Sequence, residues 1–394
     1  MLQILFIELM KGFGKLFLNP LFYWTLILLL LTSYRRIKKE RRYFGSKIFP
    51  FFSEIRETWV VSVIFSIIIS SISIVFGFVF TVEMIILLAV ISIVLSITGS
   101  LSMLSASYTI GLTYILLLVL PFVPLGDLSE YISILPVKTH SFTILAIITA
   151  IFLLAEVILI SKNKHKPTYP TLKQSQRGIW IGEHNLKKLA FIPFFTFIPS
   201  DIISGIAPIW PYFEYEQQSY SLIFIPFLLG FHYRFQGELP SKIIRKIAQS
   251  SLVLSLIVML FALASLYYPV LSFIAILIAI LGKEYVTYRH KLKDRQKSPF
   301  FTPLNRGVKV LAIKPNGPAE RLGISVGETI LKVNGQAIED ANQFYEALQN
   351  SGAFFKLDVL DVYGEVRFVT SAFFEQDHYE LGITFPEKPF REIS

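Results

Sequence analysis

The segment Gly323-Ile-Ser-Val-Gly327 has the pattern G-x-S-x-G, in which hydrolases carry their nucleophilic serine. In hydrolases this pattern places a strained serine between a strand and the helix that follows it. Here the segment comes after a short helical pattern and before the alternating apolar residues of 329–333, so the elements occur in the opposite order. We therefore do not expect Ser325 to act as a nucleophile.

The sequence also lacks the residues that metal binding and phosphate binding usually need. The chain has no cysteine, no H-E-x-x-H and no Walker-type loop, and no two histidines lie one helical turn apart. The histidines stand at positions 140, 165, 184, 232, 290 and 378. Without a nucleophile, a ligand set or a phosphate-binding loop, the sequence predicts no catalytic residue, no metal site and no cofactor, and hence no enzyme.

One carboxylate lies in an apolar stretch that prolines interrupt. Asp201 stands between Pro199 and Gly205 in FIPSDIISGIAPIWP, and a broken helix with a carboxylate is one way in which transporters hold cations. His232 and Arg234 would be its partners on a neighbouring helix. A re-entrant or interfacial position for Asp201 is the alternative, and no second broken helix pairs with this one.

The composition places these residues in a membrane protein. The 394 residues are 53% hydrophobic and 16% charged, with a mean hydropathy of +0.58, which is more apolar surface than one soluble core can bury. The net charge of +9 is compatible with nucleic-acid binding or with the inner surface of a membrane. The positions of the basic residues decide between these two interpretations.

Basic residues are concentrated in alternate connections between apolar segments. The stretch 35–56 has eight Lys or Arg, 161–190 has seven and 289–297 has five, whereas GDLSEYISILPVKTH has only Lys138. By the positive-inside rule this pattern predicts an external N-terminus and a cytoplasmic C-terminal domain, with no nucleic-acid partner. Nine segments are long enough to cross a bilayer: 16–34, 57–80, 82–98, 102–124, 141–160, 188–210, 219–235, 250–268 and 269–287.

The number of spans is less well defined than the orientation. The turns at 81–83 and 99–102 are short and poor in charge, and prolines interrupt 188–210. We predict a polytopic α-helical membrane domain at 1–288 with about nine helices, seven to nine being compatible with the sequence. A basic cytoplasmic linker at 289–302 would follow it.

The period of the apolar residues changes after Pro299. Alternating strands are predicted within 303–388, together with two short helical patterns, PAERLG and DANQFYEALQNSG. The stretch GVKVLAIKPNGPAERLGISVGETILKVNGQAIED resembles the PDZ family, which implies a small α+β domain that binds an extended peptide beside its second helix. In that family the peptide carboxylate lies against backbone N–H groups of a loop written GLGF or a variant.

The candidate for the GLGF-type loop lies at an unusual position in the sequence. Nothing like it precedes Gly307, but YELGITF follows the last predicted hairpin, so we expect a circularly permuted PDZ domain whose peptide-loop strand comes last. The resemblance then assigns Leu381, Gly382 and Ile383 to the loop and strand, and Phe344 and Leu348 to the facing helix wall. Alternatively, YELGITF only completes the sheet, with Phe344 and Leu348 facing the core. The sequence leaves both interpretations open.

The layout of the whole chain resembles the MinJ family of division-site proteins of Gram-positive bacteria. The residues that carry this resemblance are KGFGKLFLNPLFYWTLILLLLTSYRRIKKERRYF near the N-terminus and the terminal PDZ stretch. It implies a non-enzymatic adaptor at the cell membrane, septum and poles, with a DivIVA-like polar coiled-coil protein, a MinD-like ATPase, other division proteins and membrane lipid as partners. Trp180 and Ile179 in 161–190 are a candidate apolar anchor for a partner, and packing at the membrane surface is the alternative. The alternative is a PDZ-bearing regulatory component of a membrane protease or transport system.

Overall fold

The computed structural model describes residues 2–122, 139–203, 219–352, 354–372 and 381–391. Within these ranges a helical N-terminal region with several long apolar helices is followed by a C-terminal region rich in strands, as predicted. The side chains of 201–203, including Asp201, lie outside the described part, as do residues Tyr379 and Glu380 of YELGITF.

The helices of the first region begin and end at residues suited to those positions. Asn19 accepts a hydrogen bond from Leu21 N and Pro20 occupies the first turn of α2, which ends at Gly45 in a left-handed conformation. The helices are α1 Leu2–Lys15, α2 Pro20–Phe44, α3 Ser53–Arg56, α4 Trp59–Phe76, α5 Val82–Ile97, α6 Ala106–Val119, α7 Thr139–Lys162, α8 Pro240–Ala264 and α9 Val270–Arg295.

Several of these helices have the length and composition of membrane spans. In the described part of the chain, α4, α7, α8 and α9 qualify, and α1 with α2, bent by 56°, could form a fifth. Helices α5 and α6 are apolar but shorter. Helix α7 lies at the centre, because 89% of its apolar window is buried by the other elements. Seven of the nine predicted segments therefore contain helices.

In the other two predicted segments, 188–210 and 219–235, the described residues 188–203 and 219–235 lie mainly in strands, so the prediction of helices there was wrong. The strands are β1 Tyr169–Gln174, β2 Trp180–Phe191, β3 Phe194–Ile203, β4 Tyr220–Ile225 and β5 Leu228–Phe235. Asp201 accordingly lies on strand β3 and not on a broken helix. The physical reason is that strands buried on both faces are as continuously apolar as a membrane helix, so hydropathy cannot distinguish them.

Strands β3 and β4 form an antiparallel hairpin that packs between α1 and α4. The edge of β3 bonds to the segment after α4, where Phe80 N donates to Phe197 O (2.8 Å) and Phe197 N donates to Phe78 O (3.0 Å). On the other side, a Cβ at Gly12 of α1 would lie 3.0 Å from Leu222 O in β4. The absence of a side chain at Gly12 therefore allows helix and strand to approach this closely.

Buried charges of this region are held in ion pairs. Arg36 of α2 donates to Glu54 Oε1 at 2.7 Å and to Glu40 Oε1 at 2.6 Å. Lys283 of α9 pairs with Glu156 of α7 at the interior of the helices. Pairing and hydrogen bonding are required here, because an isolated buried charge would cost several kcal/mol.

The C-terminal region forms a small α+β fold around its own core. Strands β6, β8, β10 and β11 form one antiparallel sheet in the order β11-β10-β8-β6, with β9 beside β8, while β12 pairs with β7. The elements are β6 Val308–Lys309, β7 Ala312–Ile313, α10 Pro318–Arg321, β8 Thr329–Val333, β9 Gln336–Ala337, α11 Ala341–Gln349, β10 Phe354–Leu360, β11 Val366–Ala372 and β12 Ile383–Thr384.

The connection between the two regions is partly helical and tightly held. Helix α9 continues to Arg295, so the first half of the predicted 289–302 linker consists of the last turns of that helix. Phe301 then inserts fully buried between the two regions, and its carbonyl accepts from Gly182 N at 2.8 Å. The tail returns to α2, where Phe390 N donates to Tyr43 O at 3.0 Å.

Candidate functional site

The last strand and helix α11 lie beside each other, as the permuted PDZ arrangement predicts. Ile383 and Thr384 of β12 pair with Ile313 and Ala312 of β7. Gly382 enters the strand with φ +73°, and a Cβ there would lie 3.1 Å from Lys314 Cβ. A side chain at this position would therefore be strained, which explains why glycine precedes the strand.

One edge of β12 already has backbone partners. The carbonyl of Gly382 accepts from Lys314 N and that of Thr384 accepts from Leu311 N, each at 2.8 Å, so both bond on the β7 side. Because successive residues of a strand direct their backbone groups to opposite sides, Ile383 directs its N–H and C=O toward α11. This is the edge to which a PDZ ligand would add.

In this structure a side chain of α11 occupies part of that edge. The Tyr345 hydroxyl donates to Ile383 O at 3.0 Å. The Phe385 ring lies 5.2 Å from the Phe344 ring and 6.3 Å from the Tyr345 ring, so aromatic packing joins the helix to the end of the strand. The groove between β12 and α11 is therefore closed by residues of the domain itself.

The five predicted site residues all lie in this region, but the side chains of the four that are not glycine are turned inward. Leu381 and Ile383 are 1% and 3% exposed, and Phe344 and Leu348 are fully buried in the domain core. They line the inside of the groove and do not form an open pocket. Of the two interpretations that the sequence left open, the closed core packing describes the structure in this state.

Tyr345, Phe385 and Glu387 were missed by the sequence reasoning. Glu387 Oε1 accepts from Ala341 N at 2.7 Å, so the segment after β12 caps the start of α11 together with Asp340, which accepts from Gln343 N at 2.8 Å. Burial, which outweighs this hydrogen bond, raises the pKa of Glu387 above its ordinary value. Of the residues that join β12 to α11, only Asp340 could be recognised from the sequence, as a helix-capping residue.

A cavity of about 330 Å³ opens where the end of β12 approaches the membrane region. It is lined on one side by Trp180 of β2 and on the other by Phe385 and Glu387. Trp180 is half-buried here, whereas Ile179 is exposed. A strand-like ligand leaving the groove past Phe385 would enter this cavity and meet charged side chains of both signs, among them Lys309, Glu339, Asp340 and Lys388.

The residues considered for catalysis are placed in structural roles. Ser325 is an exposed turn residue whose backbone N–H donates to Glu328 Oε2 at 2.8 Å. His184 is buried beneath Phe301 and its Nδ1 lies 2.7 Å from Thr168 Oγ1. Burial lowers the pKa of His184 to about 3. The described residues contain no group of three His, Cys, Asp or Glu side chains suited to a metal ion.

Similarity to known proteins agrees with this fold and extends over the whole chain. Residues 309–359 match the PDZ domain family. Over 56 residues the chain is 36% identical to serine protease HTRA3 of Mus musculus, but these residues are only 14% of this chain and 12% of that protein. This likeness is restricted to the level of the PDZ domain.

Two further relatives cover much more of the chain. The probable cell division topological determinant MinJ of Lacticaseibacillus paracasei is 22% identical over 236 residues, which are 56% of this chain and 59% of that protein. The cell division topological determinant MinJ of Bacillus subtilis (strain 168) is 31% identical over 383 residues, which are 96% of this chain and 95% of that protein. Because the membrane region and the PDZ domain are matched together, the chain belongs to the MinJ family of cell-division topological determinants.

Proposed function

We propose that this protein is a non-enzymatic membrane scaffold in division-site selection, which links a DivIVA-type polar coiled-coil protein to a MinD-type division inhibitor. The observation that carries the proposal is the similarity to a cell-division topological determinant over 96% of the chain. A scaffold needs binding surfaces and no reacting groups, and the described chain offers a PDZ fold on a helical membrane region.

The proposed arrangement in the membrane follows from the helices and the charges. Removing the two strand segments from the nine predicted spans leaves seven, so the two ends of the chain still lie on opposite sides. The basic turns at the end of α9 support a cytoplasmic position for the PDZ domain, where it would meet the division inhibitor. We propose a transmembrane domain within 1–288 and a PDZ domain at 303–388, enriched at septum and poles.

The PDZ groove is proposed as one partner site. Leu381, Gly382 and Ile383 would present the edge strand, and Phe344 and Leu348 would support it from below. The ligand would be an extended peptide, which displaces the Tyr345 hydroxyl from Ile383 O and bonds to that edge. Lys314 beside Gly382 would favour a terminal carboxylate at the start of the strand.

The experiment that tests the scaffold function is localisation of the full chain. We would fuse the protein to a fluorescent protein in a rod-shaped Gram-positive host that lacks its own family member. We expect fluorescence at septa and poles, loss of that pattern when the DivIVA-type protein is deleted, and loss of MinD-type protein from the same sites when this chain is removed.

A uniform membrane distribution that does not respond to either deletion would contradict the scaffold function. It would favour the alternative, a regulatory component of a membrane protease or transport system, for which the likeness to the PDZ part of HTRA3 is the supporting observation. Quantitative proteomics of membrane and secreted fractions would then show altered processing or export in cells that lack the chain.

A further inference from the structure

A group of cationic side chains meets where α2 crosses the three-stranded sheet β1-β2-β5. Lys187 of β2 stands directly opposite His232 of β5, and two residue pairs along, on the same face of the sheet, Arg234 stands opposite Asn185. Helix α2 packs on the same face through Leu28, which shares an apolar cluster with Leu189, two residues from Lys187 on β2. The following turns of α2 carry Arg35 and Lys39. We name Arg35, Lys39, Lys187, His232 and Arg234 the cationic cluster.

The cationic cluster lacks the carboxylate partners that neighbouring cations have. Arg36 and Lys188, one residue along from cluster members, are paired with glutamates at 2.6–2.7 Å. In contrast, no carboxylate of the described chain lies within ion-pair distance of Arg35, Lys39, Lys187 or Arg234. Arg35, Lys39 and Arg234 are exposed and Lys187 is half-buried, so an anionic ligand can reach their charges. Such a ligand would supply the opposite charge that this group lacks.

The local electrostatics agree with an excess of positive charge. Burial, together with the charges of Lys39 and Arg35, outweighs the attraction of Glu54 and lowers the pKa of Lys187 to about 8. Burial, with Arg234, Lys187 and Lys39, lowers the pKa of His232 to about 3. At neutral pH the cluster thus contains four cations and a neutral imidazole whose Nε2 lies 3.2 Å from Asn185 Oδ1.

A serine-containing turn forms another wall of the cluster. A Cβ at Gly99 would lie 3.4 Å from Arg35 Nη1, and the carbonyl of Leu101 lies against Gly230 of β5, two residues from His232. In the same turn Ser100 Oγ and Ser102 Oγ are 2.7 Å apart. Hydroxyl groups beside guanidinium and ammonium groups are the donors by which proteins hold phosphate oxygens.

The position of the cluster along α2 indicates the depth in the membrane at which such a phosphate would bind. The apolar part of α2 ends at Tyr34 and the basic part begins at Arg35. Just before this point, Leu31 and Tyr34 are 40% and 60% exposed, and Ile97 beside the serine-containing turn is 66% exposed. These exposed apolar side chains face lipid. This boundary corresponds to the headgroup level of the inner leaflet.

We propose that the cationic cluster is a binding site for a phosphate group at the inner membrane surface, of the kind that an anionic phospholipid headgroup carries. Arg35 and Arg234 bind its oxygens through their planar guanidinium groups, while Lys39 and Lys187 supply further charge. A soluble phosphate has the same chemistry and is the second possible source. The proposal rests on the membrane orientation proposed above and not on the partners proposed there.

The test uses the full chain purified in a neutral detergent. Native mass spectrometry would measure binding of added phosphatidylglycerol and of phosphatidylcholine, and thermal unfolding would measure stabilisation by inorganic phosphate. The variant is the double substitution Lys187→Gln and Arg234→Gln. The matched control is Lys242→Gln with Arg245→Gln, which removes the same charge from exposed positions at the start of α8.

We expect the wild-type protein and the control to bind phosphatidylglycerol in preference to phosphatidylcholine, and the cluster variant to bind it about five-fold more weakly for each cation removed. Loss of stabilisation by inorganic phosphate in the cluster variant, without a lipid effect, would assign the site to soluble phosphate. Unchanged binding in both assays, or an equal loss in the control, would overturn the proposal.

Unfolding of the cluster variant is distinguished by a further measurement. Without lipid or phosphate, we expect the cluster variant to melt at or above the wild-type temperature, because its like charges no longer repel one another. A lower melting temperature in ligand-free detergent would show that the cluster stabilises the fold without a ligand, and would also overturn the proposal.

Discussion

Single residues control whether the edge of β12 is available. Gly382 allows the left-handed turn into the strand, and Ile383 directs its backbone groups toward α11. The hydroxyl of Tyr345 then takes the acceptor that an added peptide strand would use. Access to the groove thus depends on one hydrogen bond and on the packing of Tyr345 against Phe385.

The substitution Tyr345→Phe should open the groove without removing its wall. It keeps the ring but removes the hydroxyl, so a peptide N–H no longer has to compete with that hydroxyl for Ile383 O. Because a neutral hydrogen bond is worth about 1 kcal/mol net, we expect peptide affinity to rise about five-fold. Fluorescence polarisation with peptides selected from a random C-terminal library on the full-length protein would measure this change.

The control for Tyr345→Phe is Tyr363→Phe, since Tyr363 is 84% exposed at the β10–β11 turn. This control should leave peptide affinity unchanged. If no peptide is selected by either the wild-type protein or Tyr345→Phe, β12 has only the structural role of completing the sheet.

Among the elements, the β3–β4 hairpin determines how the N-terminal helix attaches. It bonds to the chain after α4 through Phe78 and Phe80, and it receives α1 through close contact at Gly12. Lys15 of α1 adds a hydrogen bond to Ser221 Oγ at 3.0 Å. Helix α1 is therefore held chiefly by a hairpin more than 170 residues away in sequence.

Two glycines of α1 give a matched test of this contact. Gly12→Leu would force a side chain against Leu222 O, whereas nothing lies within 4 Å of a Cβ at Gly14. Overpacking of this kind costs about 1–3 kcal/mol, so we expect Gly12→Leu to lower the melting temperature of the detergent-solubilised protein by several degrees. Gly14→Leu should have no such effect. An equal decrease in both variants would contradict the packing of α1 on β4.

The elements also show which features a sequence can predict. The apolar helices are detectable because each is a long apolar segment, and α11 because Asp340 caps an amphipathic pattern. The apolar pattern of strands β3 to β5 predicts spans, since residues such as Phe194 and Leu229 are buried like residues of a membrane helix. The closure by Tyr345 could not be predicted, because it depends on the distance between two elements and not on any pattern within one.

At the scale of the whole molecule, the PDZ domain is attached to the membrane region at both of its ends. Phe301 is inserted after α9, and Phe390 and Arg391 bond to the end of α2. A domain held in this way cannot sample the volume that a single flexible tether would allow. The groove and the cavity beside Trp180 therefore keep a defined position relative to the membrane surface.

The proposed topology can be tested with single cysteines, because the natural chain has none. Tyr267 is 82% exposed in the turn between α8 and α9, and Gln296 follows α9. In intact cells a membrane-impermeant maleimide should label Tyr267→Cys but not Gln296→Cys, which should react only after permeabilisation. The cysteine-free parent is the control. Labelling of Gln296→Cys from outside would place the PDZ domain on the external side and contradict the proposed function.

The position of β12 has a consequence for synthesis of the protein. The strand that completes the PDZ fold is made after every membrane helix, because the ribosome builds the chain from its N-terminus and β12 follows β11. Until β12 emerges, β7 lacks its partner strand and Leu381, Ile383 and Phe385 are missing from the domain core. A nascent chain thus completes its PDZ fold only after its membrane helices have had time to insert.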